Sequence, residues 1–240
     1  MSIILGRGED AKKVIAGENI DFNKAFIRLK AGESRRVRVL TKYDYVAYKA
    51  HGHYNKGIFT QPCIKNTGER CLLCEAANYD GDLVKRVKNY KGEEVSEWSP
   101  MYARTRVLFA FVDLDDDEIK VFDATKSQAD GLIATIEEYA DDLDSIAFTL
   151  KRTGERADTT YTLSPIMPKK MKEVQEVFDK WDGHTVSDDL FIKALQPRTT
   201  MEQAKELQQA GFPVKEVFGI EVHDEDAGVP IDEDDPVAEF

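Results

Sequence analysis

The sequence predicts a mainly β protein with α-helical appendages: an OB-fold-like Greek-key barrel, an inserted subdomain carrying cysteine and histidine, and a disordered acidic C-terminal tail. Three observations predict it. Short stretches on both sides of residues 51–98 alternate apolar and polar residues with period two. All the cysteines of the chain, Cys63, Cys71 and Cys74, fall inside that window. Residues 221–240 hold nine carboxylates and neither Lys nor Arg, a composition that cannot offset its ordering entropy by burial.

The elements follow in order. Residues 1–24 read as an arm, with a short helix candidate around GEDAKKVIAGEN between Gly8 and Gly17. The arm begins with only three consecutive apolar residues, Ile3 to Leu5, so it is no secretory signal, and no stretch approaches the roughly 18 apolar residues of a membrane span. A soluble intracellular protein with no membrane partner is expected. The core is expected over 25–165. It opens with AFIRLKAGESRRVRVLT, where Ile27, Leu29, Val37 and Val39 share one face and Arg28, Lys30, Arg36 and Arg38 the other, predicting a hairpin through Ala31, Gly32 and Glu33. After the insertion, MYARTRVLFAFVD sets Val107, Phe109 and Phe111 opposite Tyr102, Arg104 and Arg106, and DLDDDE turns the chain into EIKVFDAT. SQADGLIATIEEYADDL then spaces Leu132, Ile133, Ile136 and Tyr139 for one helix face, and IAFTLKRTG and TTYTLSPI form a closing strand pair. Five to seven strands with one late helix is the makeup of a small Greek-key barrel. A helical appendix is expected over 166–220, with helices in KKMKEVQEVFDKW and TTMEQAKELQQAG. A tail at 221–240 ends the chain.

The formal net charge of −12 argues against a polyanionic partner until it is resolved along the chain. Setting aside the nine negative charges of residues 221–240 leaves −3 on residues 1–220. Residues 24–106 hold 17 Lys and Arg against 9 Asp and Glu, a local +8.

Two motifs carry chemistry. His51, His53, Cys63, Cys71 and Cys74 have the spacing H-x-H-x9-C-x7-C-x2-C. The Cys71-Leu-Leu-Cys74 turn directs two thiolates at one ion, and Cys63 with a histidine completes a closed tetrahedral set, so a structural zinc ion is the expected cofactor. His51 and His53 both remain open as the nitrogen ligand. The second motif interleaves cations and rings: Arg36, Arg38, Lys49, Arg104 and Arg106 for phosphates, and Tyr43, Tyr45, Tyr48, Tyr54 and Tyr102 for stacked bases. Single-stranded DNA is the expected partner, with no small-molecule substrate. The acids Asp113, Asp115, Asp116, Asp117 and Glu118 sit consecutively in one turn, where their side chains diverge, so a metal-dependent nuclease is not expected and no catalytic residues are assigned.

The stretch AHGHYNKGIFTQPC followed by ERCLLCEA, a His-Gly pair, one Cys and then a Cys-x2-Cys element, resembles the zinc-containing single-stranded DNA-binding proteins of T-even-type and related bacteriophages. MYARTRVLFAFVD and FTLKRTGERADTTYTL are similar to that family's OB strands, so the resemblance covers roughly residues 25–165. It implies His51 as the nitrogen ligand with Cys63, Cys71 and Cys74 supplying sulfur, and His53 as a substitute. It further implies sequence-independent coating of single-stranded DNA in phage replication, recombination and repair, in the cytoplasm of the bacterial host. The acidic tail would then compete with DNA for the basic groove or hold replication or recombination proteins. The family's basic arm with clustered Lys/Arg and Ser/Thr, which supports cooperative filaments, has no counterpart in MSIILGRGEDAKKV, and residues 169–211 align with nothing in the family. The rival reading is a zinc-knuckle adaptor that docks proteins of the replication machinery and whose basic face is incidental.

Overall fold

A computed structural model describes residues 25–155 and 158–222; the arm expected at 1–24 and the tail from residue 223 onward lie outside the described residues. The chain is mainly antiparallel β, with a sheet that curls into a half-barrel compatible with an OB-like fold. Its strands are β1 (Ser34–Arg38), β2 (Tyr45–His53), β3 (Ile58–Pro62), β6 (Arg104–Asp113), β7 (Glu118–Thr125), β8 (Phe148–Thr153) and β9 (Thr160–Pro165). Between β3 and β6 lie helix α1 (Leu72–Asn78) and a separate two-stranded hairpin, β4 (Arg86–Lys88) with β5 (Glu94–Ser96). Strand β6 is the spine of the sheet. One edge pairs with β7 along Arg106 to Asp113; the other pairs with β2 over its first half and with β1 at its end.

The pleat explains the first core. Val107, Phe109 and Phe111 of β6 point inward with Val37, Phe122, Phe148, Leu150 and Leu163. Helix α2 (Lys126–Glu138) fills the open side with Ala129, Leu132 and Ile136. That helix starts where it does because Thr125 and Gln128 form a capping box.

The hairpin expected over 25–39 is not formed. A turn is present, with the Glu33 N–H donating to the Lys30 carbonyl at 2.9 Å, but its two arms part company. The second arm becomes β1, between β6 and β8. The first runs from β7 to β8: the Ile27 N–H donates to the Val121 carbonyl at 2.8 Å and the Gly32 N–H to the Arg152 carbonyl at 3.1 Å. Ile27 and Leu29 are buried all the same, because the apolar face reaches the core along either path.

The outer face of the sheet differs most from expectation. Leu108, Ala110 and Val112 of β6 are as buried as the residues that alternate with them, so this strand is covered on both faces. The cover is the chain after residue 166. Helices α3 (Pro168–Met171) and α4 (Gln175–Lys180), which replace the single helix expected there, seat Val174 and Phe178 against Val112 and Leu114. Helix α5 (Asp188–Leu195) lays Phe191 on Leu108, Ala110 and Val121. Helices α6 (Thr200–Gln209) and α7 (Val214–Phe218) bury Ala204, Leu207 and Val214 against Leu72, Leu73, Ala76, Trp98 and Met101 of the inserted region. The helices thus form a strap from one end of the half-barrel, over the sheet, to the insertion.

Candidate metal centre and nucleic-acid interface

His51 lies near the end of β2, opposite Gln61 of β3. Cys63 follows β3 directly, Cys71 immediately precedes α1, and Cys74 sits in that helix's first turn. Their ligand atoms all lie within 4.8 Å of one another, close enough to hold one metal ion. The Cys63 Sγ is 3.9 Å from that of Cys71 and 3.4 Å from that of Cys74, and the His51 Nε2 is 3.5 and 3.4 Å from the Cys71 and Cys74 sulfurs. A tetrahedral zinc site with bonds of roughly 2.3 Å to sulfur has sulfur–sulfur edges of about 3.8 Å, so the donors fit an ion of that size. The His51 Nδ1 is 2.8 Å from the Met101 carbonyl oxygen, which fixes its proton on Nδ1 and leaves Nε2 free for a metal. His53 is turned away. The strand register shifts between the two histidines, and the His53 Nε2 meets the Glu97 carbonyl at 2.8 Å with its ring edge-on to Trp98. The alternative ligand is therefore not at the cluster.

The thiols compete for charge. Burial pushes the Cys71 thiol up, but the His51 ring and the backbone of Cys74 and Ile64 outweigh it and bring it down to about 6. Burial, the hydrogen bond with Cys63 and the negative charge of Cys71 hold the Cys74 thiol well above its usual value. A bound dication relieves that conflict by drawing all three sulfurs into the thiolate form. No other group of three or more His, Cys, Asp or Glu ligands converges among the described residues.

The residues expected to bind nucleic acid do not form one groove. Alternation on β2 and β6 divides them: Tyr45 packs inward on Phe109 at 5.5 Å, and Lys49 bonds the Thr105 hydroxyl at 2.7 Å, whereas Tyr48, Arg104 and Arg106 take the opposite side. Arg38 is no phosphate contact: it is buried, its guanidinium stacked 3.9 Å over the Phe178 ring, donating to the Phe178 carbonyl and paired with Asp182 at 2.7 Å. Arg36 pairs with Asp115 at 2.6 Å and Glu173 at 3.1 Å. Tyr43 and Tyr102 are exposed at separate places, and Arg104 is exposed without an ion-pair partner among the described residues.

Two of these residues, Tyr48 and Arg106, line a cleft of about 210 Å³ with Phe26, Arg28, Arg152 and Tyr161. Tyr54 adjoins it through a 2.5 Å hydrogen bond to Thr60, which is part of the wall. Arg106 is bonded to Asp123 at 3.0 Å, and burial with the nearby Asp123 charge raises the Tyr48 phenol far above its ordinary value, so Tyr48 enters the cleft as a neutral ring. Phe26, Arg28, Arg152 and Tyr161 escaped the sequence reading because they come from the diverted segment and from the closing strand pair. The alternation of Leu150, Arg152 and Tyr161, Leu163 was the signal that could have found two of them.

The acidic turn after β6 is occupied by cations. Asp113 faces Lys120 at 3.3 Å, Asp115 holds Arg36, Asp116 meets Lys120 and Arg35, and Asp117 takes Lys180 and the Trp181 indole N–H at 2.9 Å. Compared with protein-family models, characterised proteins and solved structures, the chain matches none.

Proposed function

We propose that this protein binds single-stranded DNA without sequence preference and without catalysis, coating and protecting it during phage DNA replication, recombination and repair. The observation that carries the reading is the cleft, where the exposed Arg28 stands with the rings of Phe26, Tyr48 and Tyr161, and where the half-buried Arg106, held by Asp123, and the buried Arg152, donating to the Leu29 carbonyl at 2.9 Å, form the wall. Unpaired bases need flat faces to stack on and their phosphates need cations at the rim, and both kinds of group meet here. The volume is below the roughly 300–1,000 Å³ of a site that engulfs a small molecule, which favours a strand lying across the surface. In this reading the half-barrel is an OB-type barrel, and the ion held by His51, Cys63, Cys71 and Cys74 is a structural zinc. The acidic tail recruits replication or recombination proteins, and the protein works in the cytoplasm of a bacterial host.

Fluorescence titration with single-stranded DNA, duplex DNA and matched RNA at two salt concentrations tests it. Single-stranded DNA should bind best, and with about four phosphates neutralised the log–log salt slope should be near −3, from roughly −0.7 per phosphate. Arg28→Glu and Arg104→Glu, both exposed side chains, should each weaken binding and make that slope shallower. A salt-independent affinity, or variants that bind as the natural protein does, would overturn the reading and favour the adaptor.

A further inference from the structure

The hairpin β4–β5 stands outside the main sheet and presents at its tip Tyr90, which is 92% exposed. A tyrosine this exposed contributes nothing to a core, yet its turn is tightly built. The Asn89 side-chain oxygen accepts from the Lys91 N–H at 2.9 Å and the Glu93 N–H at 3.0 Å. The Asn89 N–H donates to the Glu93 carbonyl, the Asn89 carbonyl accepts from the Gly92 N–H, both at 2.9 Å, and the Asn89 amide donates to the Glu93 carboxylate at 2.8 Å. Gly92 closes the turn at φ 81°, a conformation that a side chain would strain. The ring is thus held out on a rigid mount, and rigid presentation lowers the ordering cost of binding.

The charges around the tip point to the ligand. The Lys91 ammonium lies 5.6 Å from the centre of the Tyr90 ring, and Lys85 and Lys88 are exposed with no ion-pair partner among the described residues. Arg86 on the stem is instead tied to Asp80. A ring beside free ammonium groups suits a base and its flanking phosphates. The hairpin also belongs to the same inserted region as the cleft wall: β3 supplies Thr60, Gln61 and Pro62 to the cleft, and Trp98, just after β5, is buried in the core that also takes Ile58 of β3.

We infer that the β4–β5 hairpin is a second contact for single-stranded nucleic acid, with Tyr90 stacking on a base and Lys88 and Lys91 holding phosphates, so that a long strand occupies the cleft and the hairpin together. This rests on the cleft reading, and the test separates the two. Binding of the full chain is measured against single-stranded DNA of about 6 and about 20 nucleotides, lengths around the ~4–16 nucleotide span of one OB-type site. Tyr90→Ala should weaken the long oligonucleotide by roughly 5- to 150-fold, the range of one lost base stack, and leave the short one unchanged. Tyr90→Phe should restore long binding, and Lys88→Glu with Lys91→Glu should make the salt slope of the long strand shallower. Circular dichroism should be unaltered, since the tip touches no core. Equal affinity of Tyr90→Ala and the natural protein for the long strand overturns the hairpin and spares the cleft. Tyr90-dependent long binding with no short binding overturns the cleft and spares the hairpin. No binding at either length overturns both.

Discussion

His51 and His53 are two residues apart on one strand, and the difference between them decides which holds a metal. His51 directs Nε2 at the Cys71 and Cys74 sulfurs while its Nδ1 meets the Met101 carbonyl; His53 spends its Nε2 on the Glu97 carbonyl. Metal analysis of purified variants should find one ion per chain in the natural protein and in His53→Ala, and none in His51→Ala or Cys71→Ser. The chelated protein should unfold at lower temperature, because thiolate ligation contributes directly to folding. Metal retained by His51→Ala and lost by His53→Ala would reverse the assignment. At this scale the sequence was most informative for the sulfur ligands, since three cysteines at close spacing leave few ways to converge. Spacing alone could not choose the histidine, because the register shift between the two is a property of the β2–β3 pairing and leaves no mark in composition. Arg38 shows the same limit: alternation with Val37 and Val39 marks it as outward, but not that outward there means beneath Phe178.

Among the elements, α5 tests whether the strap is part of the fold. Phe191 is buried against Leu108, Ala110 and Val121, so Phe191→Ala should destabilise the protein by about 3–5 kcal/mol in a urea titration followed by circular dichroism. Ending the chain after β9 should give an aggregating product, because those residues and Val112 would form an exposed apolar face. A monomeric, folded truncation would show that the helices are dispensable. The segment of α3 and α4 adds polar contacts to its apolar seat on Val112 and Leu114: Asp117 to Lys180 and Trp181, Arg36 to Glu173, and Arg38 to Asp182. Hydrogen bonds from Lys180 and Trp181 hold the Asp117 carboxyl below its ordinary 3.8, and a hydrogen bond from Lys120 does the same for Asp116. Carboxyls depressed in the folded state contribute stability that is fully present above that value and lost as the pH falls through the folded-state pKa. Urea midpoints should therefore be flat near neutrality and fall on acidification below about pH 4, with a smaller fall in Asp117→Asn and in high salt, since both carboxyls are partly exposed. An equal fall in Asp117→Asn would remove this pair from the account. The strands from β6 to β9 and α2 were legible from period, and α6 was expected in TTMEQAKELQQAG. Helix α5 was not, because eight residues of DDLFIKAL are too short to display a period, and its reason to be helical lies in the sheet face it covers.

For the molecule as a whole, the distribution of charge and cover decides where a polyanion can approach. The basic first half of the sequence suggested an open cationic face, yet Arg35, Arg36 and Arg38 are neutralised by the acidic turn after β6 and by the strap, which hides the sheet from Leu108 onward. Sequence arithmetic counts charges but not their partners, and these partners lie some 80 to 140 positions away in the chain. Arg106 is likewise paired with Asp123, so what remains exposed and cationic among the described residues includes Arg104 at the start of β6, Arg28 at the cleft and the hairpin lysines. The described chain ends with Ile220 and Val222 against the core that carries Cys63, Cys71 and Cys74, and the sequence beyond it, residues 223–240, holds eight carboxylates. On the proposed function, those carboxylates would compete with a bound strand for the cationic groups. Removing residues 223–240 should raise affinity for single-stranded DNA at low salt, and the gain should shrink as salt rises, because the screening length falls from roughly 30 Å at 0.01 M to about 10 Å at 0.1 M. Titration of full-length and shortened protein at those two concentrations measures it. A gain that persists undiminished at the higher concentration would mean that the tail acts by contact through its apolar residues, and no gain at either would leave it free of the cleft and available only to protein partners.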